Sequence, residues 1–188
     1  MTYLRLGLIT WSYALKELLG ERYIMYGEWL YAKHTVYYDN LPHYWMEFDI
    51  FDTEKQIYLD TQTRHEMLKD YPFICSVKVL DEKPKVKDDL FGMAQISEFI
   101  TENKYENLSL EINKQNQAHN FRTIVNETDT TSLMEGLYIK VEEDGMVKER
   151  YKFVRQSFLQ VVSDSETHWL DRPIIPNKLN CEIDKLFV

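Results

Sequence analysis

Three cationic side chains and one carboxylate fall on a short segment of this sequence that predicts a β-hairpin. Glu135 precedes an alternating apolar strand that carries Lys140, and Arg150 and Lys152 lie on the strand that runs back. The Asp-Gly pair at 144–145 is typical of a tight two-residue turn. Paired cations can hold phosphate groups, and a nearby carboxylate can orient a metal ion. The segment is therefore a candidate anion site.

The register of this hairpin decides which of these side chains share a face. With a two-residue loop, Leu137 faces Lys152, which puts Glu135 diagonal to Lys152. Lys140 then points to the other face, unless a β-bulge near Gly136 changes the alternation. The alternative to an anion site is a solvated cross-strand ion pair, worth roughly 0.2–1 kcal/mol. The pattern alone leaves both interpretations open.

A second predicted strand, Tyr44–Asp52, carries two carboxylates and an aromatic residue on one face. Its period-2 alternation places Trp45, Glu47 and Asp49 together, opposite a plain apolar face. Glu47 and Asp49 could share a divalent cation, and Trp45 could stack on a base. The alternatives are two solvated carboxylates and an aromatic residue in the core or at an interface.

Composition excludes several other kinds of site. The chain has 22 Lys and Arg against 31 Asp and Glu, a formal net charge of −9, so binding of nucleic acid by overall charge is excluded. Two cysteines cannot form a disulfide framework or a four-cysteine zinc site. The histidines are dispersed, and P-loop, Rossmann and nucleophile-elbow motifs are absent. No apolar run approaches the ~20 residues of a membrane span, which favours a cytoplasmic protein without a membrane partner.

Periodicity and turn residues predict a mixed α+β chain. A helix from Ser12 to Leu19, capped by Ser12 and ended by Gly20, precedes a strand from Arg22 to Leu30. A polar loop over 33–43 leads into the Tyr44–Asp52 strand. The other predicted elements are strands at Ile57–Leu59 and Phe73–Leu80, and helices at Thr61–Leu68 (capped by Thr61), Met93–Ile100, Leu108–His119 and Gln156–Ser163.

Four segments resemble the successive motifs of one nucleotidyltransferase family. They are Tyr26–His34 (YGEWLYAKH), His43–Asp49 (HYWMEFD), Glu135–Lys140 (EGLYIK) and Arg150–Arg155 (RYKFVR). The set resembles the bacterial and phage ATP-dependent RNA ligases of the second T4 RNA ligase type, and so does His168–Pro173 (HWLDRP). A single EGxxxK would be weak evidence, but four motifs in the right order are specific.

The resemblance implies roles for three positions around a nucleotide. Glu28 matches the glutamate that binds the nucleotide ribose. Trp45 falls where the family has an aromatic residue stacked on adenine. Glu135 matches the glutamate associated with the catalytic divalent metal. ATP and Mg²⁺ are therefore the expected cofactors, and RNA ends the expected substrates.

The resemblance also implies three catalytic cations. Lys140 matches the lysine of the fourth motif, and Arg150 and Lys152 occupy the basic pair of the final motif, whose lysine contacts the ATP phosphates and helps transfer AMP. Lys140 and Lys152 are accordingly expected to bind the nucleotide as well. Arg150 departs from the family's usual lysine, but a guanidinium also suits phosphate because it binds in a bidentate manner.

The family's first chemical step needs a residue that this sequence does not contain. A lysine in a KxDG motif attacks the α-phosphate of ATP to form lysyl-AMP, but the only Asp-Gly here is the turn at 144–145. Electrostatics cannot replace that amine, because the step is covalent. The resemblance therefore implies a truncated or split enzyme that cannot self-adenylylate alone, with a separate N-terminal fragment carrying KxDG as an expected partner.

The fold that the resemblance implies is α+β, the C-terminal larger part of an antiparallel two-sheet, ATP-grasp-like nucleotidyltransferase domain with outer helices. Residues 1–188 are expected to form this single incomplete domain, with 85–131 as a variable polar insertion. The expected function is ATP-dependent RNA end joining or repair through enzyme-AMP. Two alternatives remain open: a metal-dependent nuclease using Glu28, Glu47 and Asp49, and a noncatalytic module that binds a nucleotide or a partner.

Overall fold

The computed structural model describes residues 2–83, 95–163 and 172–182 and has an α+β architecture. No helix in those ranges is long and apolar enough to cross a membrane. The elements, in chain order, are α1 (Thr2–Leu19), β1 (Tyr23–Trp29), β2 (Trp45–Asp52), β3 (Ile57–Tyr58), α2 (Thr61–Leu68), β4 (Cys75–Ser76), α3 (Lys104–Lys114), a 3-10 turn (Ala118–Asn120), α4 (Phe121–Asn126), β5 (Gly136–Glu143), β6 (Met146–Val154) and α5 (Gln156–Ser163).

Two sheets organise these elements. Strand β2 is the centre of the larger sheet, since β1 and β3 pair with it antiparallel and β4 pairs with it parallel. The smaller sheet is the β5–β6 hairpin. The hairpin's tip is held against the start of α2, where the Asp60 N–H donates to the Gly145 carbonyl at 3.2 Å and the Thr61 hydroxyl donates to Glu142 at 2.7 Å. The predicted two-sheet α+β class is confirmed, with one parallel pair in addition.

The core consists of two clusters of buried apolar side chains. In the first, Ile50 of β2 packs with Leu59, Leu68 and Ile74, and helix α1 covers them through Leu15 and other residues. The second consists of Tyr37, Leu108, Ile112, Ile124 and Ile175, all at most 5% exposed. Helices α3 and α4 therefore supply much of the second core, although their sequence is largely polar.

A β-bulge in β2 changes the alternation that the sequence predicts. The consecutive residues Tyr26 and Gly27 of β1 pair with Asp49 and Glu47, so Phe48 is the extra residue. Glu47 therefore points toward α2, whereas Asp49 points toward the β5–β6 hairpin. The prediction that these two carboxylates share a face and a cation is wrong, because the bulge separates them.

Glu47 forms a buried ion pair with Arg64 of α2. The two side chains are 0% and 1% exposed, and the Ser76 hydroxyl donates to the same carboxylate at 2.8 Å. Burial raises the pKa of Glu47, while the attraction of Arg64 opposes the rise. The pair ties α2 to the larger sheet, and it leaves Glu47 unsuited to bind a metal ion.

Replacing Arg64 with methionine should lower the free energy of unfolding by about 3–5 kcal/mol, because it leaves a buried carboxylate without its cation. The Glu47→Gln/Arg64→Met double variant should recover most of that loss, since neither charge then remains. Urea unfolding followed by circular dichroism measures both values. Equal losses in the single and double variants would show that packing, and not charge pairing, holds α2 in place.

Several predicted elements are corrected by the structure. Helix α1 begins at Thr2 instead of Ser12, although it ends at Leu19 as predicted, directly before Gly20, which has a φ of +53°. The cap of α2 is Asp60, whose carboxylate accepts from the Thr63 N–H at 2.8 Å. The predicted strand at 73–80 shortens to Cys75–Ser76, and residues 95–100 are not helical. Residues 84–94, which include the start of that predicted helix, lie outside the described residues.

Candidate functional site

The β5–β6 hairpin carries the three predicted cations on one face. Near the turn, Glu142 pairs with Val147, as a two-residue loop predicts. A bulge at Lys148 then shifts the register, so that Lys140 pairs with Arg150 and Tyr138 pairs with Lys152. The expected pairing of Leu137 with Lys152 is therefore wrong, because Leu137 pairs with Phe153. Lys140 consequently joins Arg150 and Lys152 on a shared face.

Asp49 of β2 is the centre of this face. Its carboxylate is 1% exposed and contacts Lys140 at 2.6 Å and Arg150 at 3.4 Å. The Tyr138 hydroxyl donates to the same carboxylate at 2.6 Å, and the Lys140 ammonium also donates to the Phe48 carbonyl at 2.7 Å. Asp49 thus links the hairpin to the larger sheet and fixes two of its cations.

Arg150 and Lys152 remain accessible at the surface of this face. The Arg150 side chain is 41% exposed, and its guanidinium lies over the Tyr58 ring at 3.8 Å. That cation–π contact and the Asp49 contact hold the guanidinium plane in one orientation. Lys152 is exposed. Held in this way, Arg150 can offer its outer N–H groups to a phosphate, with Lys152 as a second positive charge.

Glu135 lies at the start of β5 and is half-buried. The Tyr38 hydroxyl donates to its carboxylate at 2.6 Å. Burial raises the pKa of Glu135, and the nearby carboxylate of Glu28 raises it further, while Lys152 lowers it. Glu28 and Lys152 are therefore close enough to Glu135 to affect its charge.

The backbone around Glu135 is fixed by close packing. Its carbonyl accepts a hydrogen bond from the Arg155 N–H at 3.0 Å, and the Arg155 guanidinium donates to the Met134 carbonyl at 2.8 Å and binds Asp129. The next residue must be glycine, because a Cβ at Gly136 would clash with the Phe153 carbonyl. Gly136 is thus a structural requirement at the start of β5.

Trp45 lies on the face of β2 opposite to Asp49 and the β5–β6 hairpin. It pairs with Trp29, and its ring covers Gly27 so closely that a Cβ there would clash with it. Glu28 falls between those two β1 positions and therefore points to the other face. The structure does not bring Trp45 together with Glu28.

Four residues that the sequence did not single out for these roles complete the group. The bulge turns Phe48 toward Tyr138, with ring centroids 5.7 Å apart. Tyr38 and Tyr138 bind the two carboxylates, and burial raises the pKa of Tyr138 to about 12. Tyr58 supports Arg150. No spacing rule identifies these residues, because the contacts depend on two bulges and on the loop over 33–43.

Glu28 and Glu135 interact electrostatically, and carboxylates are the ligands that a hard divalent cation takes. Mg²⁺ is commonly held by one or two carboxylates together with waters and substrate phosphates. A cation between the two carboxylates would relieve the repulsion by which Glu28 adds to the effect of burial on the pKa of Glu135. Within the described ranges no group of three or more His, Cys, Asp or Glu side chains could hold a metal by itself. Such an ion would therefore be shared with a phosphate ligand.

Comparison with known proteins gives one match. The family model described as RNA ligase matches residues 6–154, which covers α1 to the end of β6. No curated protein and no solved structure matches the chain.

Proposed function

The chain belongs to the RNA ligase family, and we propose that it acts in ATP-dependent joining or repair of RNA ends as part of a nucleotidyltransferase domain. The observation that carries the proposal is the arrangement around Asp49. This buried carboxylate holds Lys140 and Arg150 on the face that also bears Lys152, beside the carboxylate pair of Glu28 and Glu135. Preformed cations next to carboxylates suit the transfer of a nucleotidyl group.

The three cations would contribute to binding of the ATP phosphates in different ways. Arg150 and Lys152 are the accessible pair and would contact the phosphate oxygens directly. Lys140 is 11% exposed and tied to Asp49, so its charge would act on the phosphates while it holds the hairpin in place. Charge that develops on the phosphate oxygens during transfer would be stabilised without any rearrangement of these side chains.

The nucleoside would lie along the same face of the larger sheet. Glu28 can accept hydrogen bonds from ribose hydroxyls, as the family resemblance implies. For the base, we propose Phe48 as the stacking ring instead of Trp45, because the bulge places Phe48 on the side of Asp49 and Tyr138. Mg²⁺ held by Glu135 and Glu28 would polarise the phosphoryl oxygens.

The covalent step requires an amine that this sequence does not provide. In that step a lysine nitrogen forms a bond to the α-phosphorus of ATP and pyrophosphate leaves. We propose that the lysine comes from a segment outside this sequence, and that residues 1–188 supply the remaining part of one domain. Residues 104–126 then act as support, because Leu108, Ile112 and Ile124 pack against Tyr37, next to the Tyr38 that binds Glu135.

Incubation with α-labelled ATP and Mg²⁺ should leave no covalent label on this chain. The KxDG lysine is absent, and binding alone does not form a phosphorus–nitrogen bond. A denaturing gel exposed for the label measures the result. A labelled band would reveal a substitute nucleophile, which peptide mapping would then locate among the lysines.

A pre-adenylylated RNA should be joined by this chain, because the missing amine is needed only to form the AMP adduct. The 3′-hydroxyl of a second RNA attacks the activated 5′-phosphate and AMP leaves. Gel electrophoresis with Mg²⁺ and no ATP measures the joined product, and the Lys152→Ala variant should yield far less. ATP binding without joining would support the noncatalytic module, and cleavage of the RNA would support the nuclease.

A further inference from the structure

Tyr26 of β1 forms an aromatic pair with Tyr58 of β3, and the function proposed above gives Tyr26 no role. The two ring centroids are 5.9 Å apart, and Tyr26 is 37% exposed. A hydrogen bond with Tyr58 raises the pKa of the Tyr26 hydroxyl, so the two side chains are also joined at their polar ends. We call these two residues the tyrosine pair.

The larger sheet directs Tyr26 to the same side as the proposed nucleotide site. Tyr23 and Met25 pack with Ile50 in the core that α1 covers, so the alternate residues Ile24 and Tyr26 point to the opposite face. The β5–β6 hairpin contacts β2 and β3 on that face, but Ile24 of β1 remains 45% exposed. An accessible apolar surface therefore continues from the hairpin across β1.

Arg150 connects the tyrosine pair to the proposed phosphate site. Its guanidinium lies 3.8 Å from the centroid of the Tyr58 ring and 3.4 Å from the Asp49 carboxylate. The Tyr26 hydroxyl is close enough to both charged groups for them to shift its pKa, in opposite directions. A phosphate bound by the outer N–H groups of Arg150 would therefore lie beside the tyrosine pair.

A second aromatic surface lies farther along β2. Tyr58 pairs with Phe51, and their ring centroids are 4.8 Å apart. Phe48, which we assign to the adenine of ATP, is three positions before Phe51, or about 10 Å along an extended strand. Arg150 contacts Asp49, which falls between these two positions. Two aromatic surfaces thus flank one accessible cation.

We propose that the tyrosine pair stacks on the 5′-terminal base of pre-adenylylated RNA, while Phe48 stacks on the adenine and Arg150 binds the phosphates between them. The inference rests on the proposed function, which makes an RNA activated with AMP the ligand. In that molecule a pyrophosphate joins the AMP to the first nucleotide of the RNA, so a cation with an aromatic surface on either side matches its two nucleosides. Stacking is tolerant of base identity, so RNA ends of different sequence would bind.

Binding of a fluorescent pre-adenylylated RNA, measured by anisotropy, tests this assignment. Tyr26→Ala and Tyr26→Leu should each weaken binding by roughly fivefold to a hundredfold, because each removes a stacking ring. Tyr26→Phe keeps the ring and should bind within about twofold of wild type. Tyr13→Ala is the matched control, because it removes an exposed tyrosine from α1, on the opposite side of the larger sheet, and should leave the affinity unchanged.

Two further measurements distinguish stacking from charge and from misfolding. Tyr26→Leu should keep the wild-type slope of log affinity against log salt, whereas Arg150→Gln should reduce that slope by about 0.7, because only the second change removes a contact to phosphate. An RNA whose first nucleotide lacks its base should bind equally to wild type and to Tyr26→Leu. An undiminished loss with this abasic RNA would overturn base stacking as the role of Tyr26.

ATP affinity separates this inference from the proposed function. The Tyr26 variants should bind ATP as wild type does, since Phe48 and not the tyrosine pair stacks on the adenine. A wild type that binds ATP, with an RNA affinity that does not depend on Tyr26, would overturn the inference alone. A loss of ATP affinity as large as the loss of RNA affinity would assign the tyrosine pair to the adenine and overturn the inference as well. Wild-type protein that binds neither ligand would overturn the proposed function, on which the inference rests.

Discussion

In the Asp49→Ala variant, the free energy of unfolding should fall by about 3 kcal/mol, and ATP binding should be lost with it. Asp49 is 1% exposed and binds Lys140, Arg150 and Tyr138, so its removal leaves two cations and a hydroxyl without their shared acceptor. The hairpin would also lose its main polar link to the larger sheet. Urea unfolding measures the stability, and titration calorimetry measures the ATP affinity.

Two controls make this result specific. Asp70→Ala removes an exposed carboxylate after α2 and should change stability by less than about 0.5 kcal/mol. Asp49→Asn keeps the size of the side chain and one carbonyl acceptor, so it should retain more stability than Asp49→Ala while it still weakens ATP binding. If Asp49→Ala were as stable as Asp70→Ala, the carboxylate would not hold the hairpin.

The hairpin shows how far the sequence can specify this site. Asp144 and Gly145 have φ values of +53° and +76°, which is the conformation that an Asp-Gly pair favours, and so the turn was predictable. The strand register beyond the turn was not predictable, because the alternation of apolar residues does not reveal the bulge at Lys148. Only the bulge places Lys140 beside Arg150. The resemblance to the family's motifs implied that Lys140 acts with Arg150, whereas period-2 alternation placed the two side chains on opposite faces.

The bulge at Phe48 had a similar consequence in β2. Simple alternation placed Trp45, Glu47 and Asp49 together, but the extra residue sends Asp49 to the hairpin and leaves Glu47 facing Arg64. The position of a bulge depends on the partner strand, and here Gly27 of β1 accepts the Trp45 ring above it. A pattern read along one strand does not contain that information.

The polar stretch after residue 103 was difficult to predict for a different reason. Leu108 and Ile112 have helical spacing, but their partners Tyr37 and Ile175 lie far away in the chain. An apolar stripe that narrow predicts only a short helix, and its burial depends on long-range contacts. The same segment supports the loop that carries Tyr38, so it contributes to the site only through the assembled core.

The role of Lys152 depends on its charge being available to a ligand. It is exposed on the hairpin face and contributes little to the core, so Lys152→Ala should leave the fold and the melting temperature nearly unchanged. Loss of a charge-assisted contact to phosphate typically costs about 1.5–3 kcal/mol, which is roughly a tenfold to hundredfold loss in affinity. Lys148 is the matched control, because it lies on the same strand at the bulge and outside the cation pairing.

Titration calorimetry of ATP with Mg²⁺ against the wild type, Lys152→Ala and Lys148→Ala is the most direct test of the proposed nucleotide site. We expect measurable binding by the wild type, binding at least about tenfold weaker by Lys152→Ala, and binding within about twofold of wild type by Lys148→Ala. Equal affinities for all three proteins, with unchanged circular dichroism, would contradict the assignment of the hairpin face to ATP and leave its charges as a solvated ion-pair network.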